Sequence, residues 1–309
     1  RTMTKTSKTV LFFGNERLAT GVSTSTPTLK ALIKGGYEVK AVIIAQSEIG
    51  PSRKGRDLEI QKVADENSIP VLIIDDLKAE LDKIKALACD VGVLVAYGKI
   101  VPESIIKAMP NGIINIHPSL LPLHRGPTPI ESVILNGERE TGVSLMKLVK
   151  ELDAGPVIEQ TRISLAGNES KQELADKCAQ TGADLVIKNL PAILDGTAPA
   201  SEQNDAHATY DEQIQKADGI IDWNESAATI SRKIRAYAGW PRSRTQIGTT
   251  DVIITSSKTI EGQGEPGQPY KYESGLAIYC GQGSLLIEKL IPAGKKEMTG
   301  QAFLAGYKI

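Results

Sequence analysis

The chain has 309 residues, of which 41% are hydrophobic, and its formal net charge is -1. This length supports two hydrophobic cores, so we expect two domains. The near-neutral charge excludes a strongly basic surface that would coat nucleic acid, although it allows a local patch that contacts RNA.

The cysteine content and the hydropathy of the chain indicate the cellular environment in which the protein acts. Cys89, Cys178 and Cys280 are scattered, without CxxC or histidine spacing, so neither a disulfide framework nor a zinc site is indicated. No apolar run reaches the ~20 residues that a membrane span needs, and the opening RTMTKTSK is too short and polar for a signal peptide. We therefore expect a cytoplasmic protein that does not contact a membrane.

The first 150 residues alternate short apolar runs with helical patterns, as parallel strands joined by crossover helices do. Strands are predicted at residues 9–14, 39–45, 70–75, 91–98 and 112–117, with helices at 26–36 and near 58–68, 77–87 and 102–108. The predicted fold class is α/β, with a Rossmann-like, doubly wound sheet.

Two more strands, at 141–149 and 156–165, and a long helix at 169–195 complete the first predicted domain, residues 1–195. Residues 196–208 are poor in large apolar side chains and read as a linker. In 209–309 a helix near 226–238 precedes short strands with glycine-rich turns. A small β-barrel of the OB-like type suits this pattern, and a compact sandwich is the alternative.

The motif NIHPSLLP ends the fifth predicted strand and carries the main candidates for catalysis. Positions two apart in a strand point to one face, so Asn115 and His117 project together. Asp153 follows the histidine by 36 positions, in LDAGPV. An amide, an imidazole and a carboxylate are the groups that stabilise an oxyanion and move protons in acyl transfer. The alternative is a hydrogen-bonded strand end without catalytic function.

The segment after the first strand reads GNERLATG, which lacks the GxGxxG spacing for a dinucleotide pyrophosphate. No GxxxxGK[ST] phosphate-binding loop is present in the sequence. We therefore expect neither NAD nor ATP as a cofactor, and no metal.

Several motifs together carry a family resemblance. They are NIHPSLLP, LDAGPV, AYGKIVP at 96–102, IDWNESAATISRKIRA at 221–236 and LIPAGKKEMTGQAFL at 290–304. With these motifs the chain resembles the formyltransferases that use 10-formyltetrahydrofolate, and within them the methionyl-tRNA formyltransferase family. The resemblance implies that Asn115, His117 and Asp153 form the catalytic triad. It also implies formyl transfer to the α-amino group of methionyl initiator tRNA, in translation initiation, and we expect a monomer.

The resemblance also implies binding residues. Two segments would bind the tetrahydrofolate: Ser119, Leu120, Leu121 and Pro122, and Ala96, Tyr97, Gly98 and Ile100. Without the family, the first reads as a rigid apolar turn that packs onto the sheet, and the second as a plain strand-to-helix turn. Arg125 would meet the acceptor's phosphate or carbonyl, the alternative being a surface arginine, while His124 is expected to be structural or exposed. A basic loop, Arg53, Lys54 and Arg56, would contact tRNA phosphates, although most short charge clusters are merely solvated.

The chain departs from the family pattern in two loops. It reads GNERLATGVSTSTP where the family usually reads GTPxFA, which leaves open what Asn15 and Glu16 contribute to acceptor binding. It also reads RGPTPI in place of RGAAPI. Three competing functions remain: a formyltransferase for an amino sugar nucleotide, a folate deformylase, and a non-catalytic relative that binds folate or RNA.

Overall fold

The structure, a computed structural model, describes residues 8–45 and 58–309, and these form two compact units. The first unit takes the described residues up to Pro129 together with Glu140–Ser164 and Gln172–Glu212. The second takes Ile130–Arg139, Leu165–Lys171 and Gln213–Ile309. Within the described ranges, none of the helices is long and apolar enough to span a bilayer.

A seven-stranded sheet forms the first unit, in the order β3-β2-β1-β4-β5-β6-β7. Strands β1 to β5 run parallel, whereas β6 and β7 are antiparallel additions at one edge. Strands at the centre of a parallel sheet are covered on both faces and are therefore apolar. Every residue of β1 is buried. The predicted Rossmann-like sheet is confirmed, with strands β1 Thr9–Gly14, β2 Glu38–Ile44, β3 Val71–Ile73, β4 Val91–Val95, β5 Ile113–His117, β6 Glu140–Lys147 and β7 Val157–Ser164.

Six helices accompany these strands in the sequence. They are α1 Pro27–Lys34, α2 Glu59–Glu66, α3 Leu81–Ala86, α4 Glu103–Ile106, α5 Pro129–Asn136 and α6 Lys171–Leu194. The sequence analysis missed α5. Its eight residues begin at Pro129, the last residue of the proline-rich stretch RGPTP, and such a stretch is typical of a loop. Proline nevertheless suits the first position of a helix, because the N–H that it lacks would have no partner there.

The second unit contains an antiparallel sheet in the order β10-β11-β12-β9-β8, and β13 pairs with β12. Its elements are α7 Ala227–Ala236, β8 Ser243–Ile247, β9 Thr250–Ile260, β10 Pro269–Tyr272, β11 Gly275–Tyr279, β12 Ser284–Pro292, β13 Met298–Thr299 and α8 Gly300–Gly306. Ile230 and Ile234 of α7 pack with Leu285 and Leu290 of β12 in one core. The predicted fold class, a Rossmann-like sheet followed by a smaller β domain, is thus confirmed, and the sheet of that second domain is antiparallel.

The second unit also holds a buried ion pair. Lys171 Nζ lies 3.7 Å from Glu131 Oε1, and both side chains are fully buried. The same ammonium donates a hydrogen bond to the Trp240 carbonyl oxygen at 3.2 Å. Burial lowers the pKa of Lys171, and Glu131 opposes that shift. Because both charged groups are buried, removing one partner of the pair alone is costly.

The predicted linker belongs to the first unit, which continues to Glu212. Residues 201–211, here called the connector, lie against loops of this unit. Ser201 exchanges two backbone hydrogen bonds with Val157, at 2.8 and 2.9 Å. Tyr210 forms a parallel bridge with Arg125, which lies three positions after the end of the motif that contains His117. The connector therefore lies beside the candidate catalytic residues.

Candidate functional site

The candidate catalytic residues on β5 lie at its carboxyl end, where open α/β sheets bind their ligands. Asn115 and His117 are 6% and 5% exposed. His117 Nε2 donates a hydrogen bond to the backbone carbonyl oxygen of His124 at 2.7 Å. Its Nδ1 lies 3.7 Å from Asp153 Oδ2. The structure therefore brings the distant aspartate next to the imidazole, as the sequence analysis expected.

Asp153 is held in place by two hydrogen bonds, and a third holds the neighbouring Gly155. It lies in the β6–β7 connection with φ at +48°, a left-handed conformation that is uncommon outside glycine. Its Oδ2 accepts a hydrogen bond from the Gly126 N–H at 2.8 Å. The Gln203 side-chain amide donates to the carbonyl oxygens of Asp153 and Gly155, at 2.7 and 2.8 Å. These contacts fix the carboxylate beside His117.

Asn115 is 6% exposed, and its side-chain amide forms no hydrogen bond within the described part of the chain. The amide atoms are not fully buried, so a ligand can reach them. An amide left in this state beside His117 is suited to donate to a ligand oxygen. The amide can therefore donate to a ligand group that develops negative charge next to β5.

The turn after His117 is ordered by a polar network. Ser119 is fully buried, and its carbonyl oxygen accepts a hydrogen bond from Ser144 Oγ at 2.6 Å. Ser144 Oγ accepts in turn from the Leu121 N–H at 3.1 Å and from Gln160 Nε2 at 2.8 Å. Leu120 lies over Gly142, where a Cβ would come within 2.4 Å of it, and the Leu121–Pro122 peptide is cis. The turn is rigid, and its contact with folate stays a prediction.

The second predicted folate-binding segment follows β4. Ala96 and Gly98 have positive φ values, +52° and +74°. Tyr97 is buried and packs edge-on against Phe13, with ring centroids 5.9 Å apart. Burial raises the pKa of its hydroxyl to about 12. Ile100, by contrast, is 84% exposed, so only part of this segment faces solvent in the free protein.

Arg125 is a buried anchor for the connector and not the surface arginine of the alternative reading. It is 1% exposed. Its guanidinium donates to Gln203 Oε1 at 2.9 Å, to the Tyr210 hydroxyl at 2.9 Å and to Asp205 Oδ1 at 2.7 Å. With a further bond from Nε to Gln203 Oε1 at 3.1 Å, four of the five N–H donors are used within the first unit. A contact with the acceptor stays a prediction.

The atypical loop after β1 is organised by Glu16. This residue is fully buried, and its carboxylate accepts hydrogen bonds from the backbone N–H groups of Thr28 at 2.8 Å and Leu29 at 3.1 Å. Thr26, the N-cap of α1, makes no side-chain cap, so Glu16 supplies this role from a distance. Burial raises the pKa of Glu16, whereas its hydrogen bonds lower it. The Glu16 side chain thus caps the amino terminus of α1.

Sequence reasoning missed three residues near the site: Gln203, Gly126 and Asp211. The distance along the chain between Gln203 and Asp153 left no local pattern to detect. Gly126 carried a signal, because glycine is the residue that adopts a positive φ most readily, and φ is +111° here. The predicted RNA-contacting residues Arg53, Lys54 and Arg56 lie outside the described residues. Within the described ranges, no cluster of metal-ligating side chains occurs.

The formyl transferase family matches residues 20–190, and the formyl transferase C-terminal domain matches residues 213–308. The methionyl-tRNA formyltransferase of Thermodesulfovibrio yellowstonii is 34% identical over 98% of this chain and 97% of its own length. That of Methylococcus capsulatus is also 34% identical, over 92% of this chain and 94% of its own.

Solved structures share the fold at lower identity. The Helicobacter canadensis N-formyltransferase, in complex with folinic acid and dTDP-3-aminofucose, has a TM-score of 0.68 at 20% identity, covering 91% of this chain and 98% of that one. HypX from Aquifex aeolicus, in complex with tetrahydrofolic acid, has a TM-score of 0.67 at 18% identity over 96% of this chain, which spans 46% of HypX. The resemblance drawn from the motifs is confirmed: this chain belongs to the formyltransferase family, with methionyl-tRNA formyltransferases as its full-length relatives.

Proposed function

We propose that the chain transfers the formyl group of 10-formyltetrahydrofolate to the α-amino group of methionyl initiator tRNA, in support of translation initiation. The observation that carries this proposal is the buried pairing of His117 with Asp153, beside the unpaired Asn115 amide, in a chain whose full-length relatives are methionyl-tRNA formyltransferases. A folate donor is supported by the tetrahydrofolic acid and folinic acid in the complexes of HypX and the H. canadensis enzyme.

The reaction makes modest demands on the nucleophile. An α-amino group has a reference pKa near 8, so roughly a tenth or more of it is unprotonated at neutral pH. Its nitrogen attacks the formyl carbon, and a tetrahedral oxyanion forms. The bond from that carbon to N10 of the folate then breaks. The amine loses one proton and N10 gains one, so the step balances without an external acid or base.

Asn115 and His117 are placed to stabilise the oxyanion. The Asn115 amide has no partner within the described residues and can donate to the oxygen. The His124 carbonyl oxygen can only accept a hydrogen bond, so it holds a proton on His117 Nε2. His117 Nδ1 is then the nitrogen available to the reacting atoms. Removing one oxyanion donor typically costs about 3 kcal/mol in the transition state, or roughly 100-fold in rate.

Asp153 would orient the His117 ring. Its carboxylate lies 3.7 Å from Nδ1, while Nε2, the second ring nitrogen, donates to the His124 carbonyl. From this position Asp153 also can orient a water that carries the proton from the amine to N10. The carboxylate keeps its own orientation through the Gly126 N–H.

The remaining binding surfaces follow from the sequence assignments. Residues 1–195 would bind the folate through Ser119–Pro122 and Ala96–Ile100, and residues 209–309 would contact the tRNA. The basic residues Arg53, Lys54 and Arg56 would contact its phosphates. We propose a monomer that acts in the cytoplasm.

The test is transfer of labelled formyl from 10-formyltetrahydrofolate, with methionine-charged initiator tRNA, charged elongator tRNA and an amino sugar nucleotide as parallel acceptors. Selective labelling of the initiator tRNA supports the proposal. Labelling of the amino sugar nucleotide alone would show that this compound, and not the tRNA, is the acceptor. Absence of transfer with folate bound would indicate a binding protein. His117→Ala and Asp153→Asn should both abolish transfer while the circular dichroism spectrum stays unchanged, and near wild-type turnover in either would refute the assigned roles.

A further inference from the structure

The backbone of His124 has an unusual conformation next to the candidate catalytic histidine. Its φ is +57°, in the left-handed region, which is populated by few residues other than glycine. Such a conformation costs about 1–3 kcal/mol and persists only where surrounding contacts enforce it. The consequence here is directional: it points the His124 carbonyl oxygen at His117 Nε2, 2.7 Å away.

The contacts that enforce this conformation come from the connector. The His124 N–H donates to Thr209 Oγ1 at 2.8 Å. His124 Nδ1 lies 3.1 Å from each of the two Asp211 carboxylate oxygens. The side chains of His124 and Asp211 are 10% and 9% exposed, so water screens this pair little. Connector residues thus hold both the backbone and the ring of His124.

The backbone around this pair is held by the same segment. The Arg125 N–H donates to the Thr209 carbonyl at 2.9 Å, and the Asp211 N–H donates to the Arg125 carbonyl at 2.7 Å. The Thr209 N–H donates to the Pro122 carbonyl at 3.2 Å. The connector therefore also fixes Pro122 and Arg125, which flank the short segment that carries the His124 carbonyl.

We infer that Asp211 and His124 are positioning residues: through the Asp211 carboxylate the connector holds the His124 carbonyl where it keeps the proton of His117 on Nε2. This inference rests on the proposed function for its effect on catalysis, although the histidine geometry does not. If the contact between His124 and Asp211 is lost, the carbonyl can move away from Nε2 and the neutral ring can carry its proton on Nδ1. Nδ1, the nitrogen that faces Asp153, then has no lone pair with which to accept a proton from the reacting groups.

The experiment uses the full chain with ¹⁵N-labelled histidine. The sequence contains only His117, His124 and His207, so single substitutions assign the ring signals. At a pH where the rings are neutral, wild-type His117 should be the Nε2-protonated tautomer. Asp211→Ala should show a mixture of both tautomers. Asp211→Asn keeps an oxygen that accepts from His124 Nδ1–H, and it should restore the wild-type signal. Glu202→Ala removes an exposed carboxylate from the same connector and should leave the signal unchanged.

Transfer kinetics give the second readout. In Asp211→Ala, kcat should fall by about tenfold or more, the equivalent of one hydrogen bond to a charged group, while KM for both substrates changes little. Asp211→Asn should recover most of kcat. An Asp211→Ala protein with an unchanged His117 tautomer overturns the inference, even if its kcat falls. Wild-type protein that transfers no formyl group refutes the proposed function alone, because the tautomer measurement needs no acceptor.

Discussion

The Gly126→Ala substitution tests how tightly the candidate site is built. Gly126 has φ at +111°, and a Cβ there would lie 2.6 Å from the Asp211 carbonyl oxygen, a backbone atom. A conformation this unfavourable for alanine costs about 1–3 kcal/mol, and forcing an extra carbon into a filled space costs about 1–3 kcal/mol. We expect a loss of about 2–6 kcal/mol in the free energy of unfolding, and a melting temperature lower by at least about 4 °C.

The same substitution should slow transfer. The Gly126 N–H donates to Asp153 Oδ2 at 2.8 Å, and relief of the clash moves this donor. A hydrogen bond to a charged group is worth about 1.5–3 kcal/mol, so we expect kcat to fall roughly 10- to 100-fold. The assay is formyl transfer at a temperature well below both melting transitions.

Gly36→Ala is the matched control for this substitution. Gly36 also has a positive φ, +75°, but its Cβ would meet no atom within 4 Å. This variant should lose only about 1–2 kcal/mol and keep its kcat. A Gly126→Ala protein with the stability of the Gly36→Ala protein and full activity would show that the close approach to Asp211 is not rigid.

Three further predictions follow from other contacts. Lys171→Met should destabilise the protein by about 3–5 kcal/mol, because it removes the positive charge that faces the buried Glu131 carboxylate, whereas Lys171→Met with Glu131→Leu should recover most of that loss; urea denaturation measures both, and an unrecovered double variant contradicts the pairing. Burial raises the pKa of Glu16 above its usual value of 4.5, so the protonated form is favoured by folding and wild type should lose stability relative to Glu16→Gln as the pH rises above about 4.5; melting temperatures that keep a constant difference would refute this. Arg53→Ala with Arg56→Ala should weaken tRNA binding and flatten its salt dependence without affecting folate, and an unchanged salt slope counts against the basic loop.

The local pattern of the sequence predicted most of the sheet. Buried strands such as β1 and β5 are continuous apolar runs, and such runs need no knowledge of distant residues to be found. Short or atypical elements were not predicted, because local sequence alone does not specify their conformation. Helix α5 begins inside a proline-rich stretch, and β13 has only two residues, Met298 and Thr299, whose strand conformation depends on pairing with β12.

The sequence by itself determined that Asn115 and His117 share one face at the end of a strand, because side chains alternate along any strand. It also determined the family, through motifs that span the whole chain. Only the tertiary structure decided that Asp153 lies 3.7 Å from His117, that Gln203 and Asp211 of the connector hold the site, and that Arg125 and Glu16 are buried anchors. These contacts join residues far apart in sequence, and no local periodicity encodes which distant backbone groups a buried side chain must satisfy.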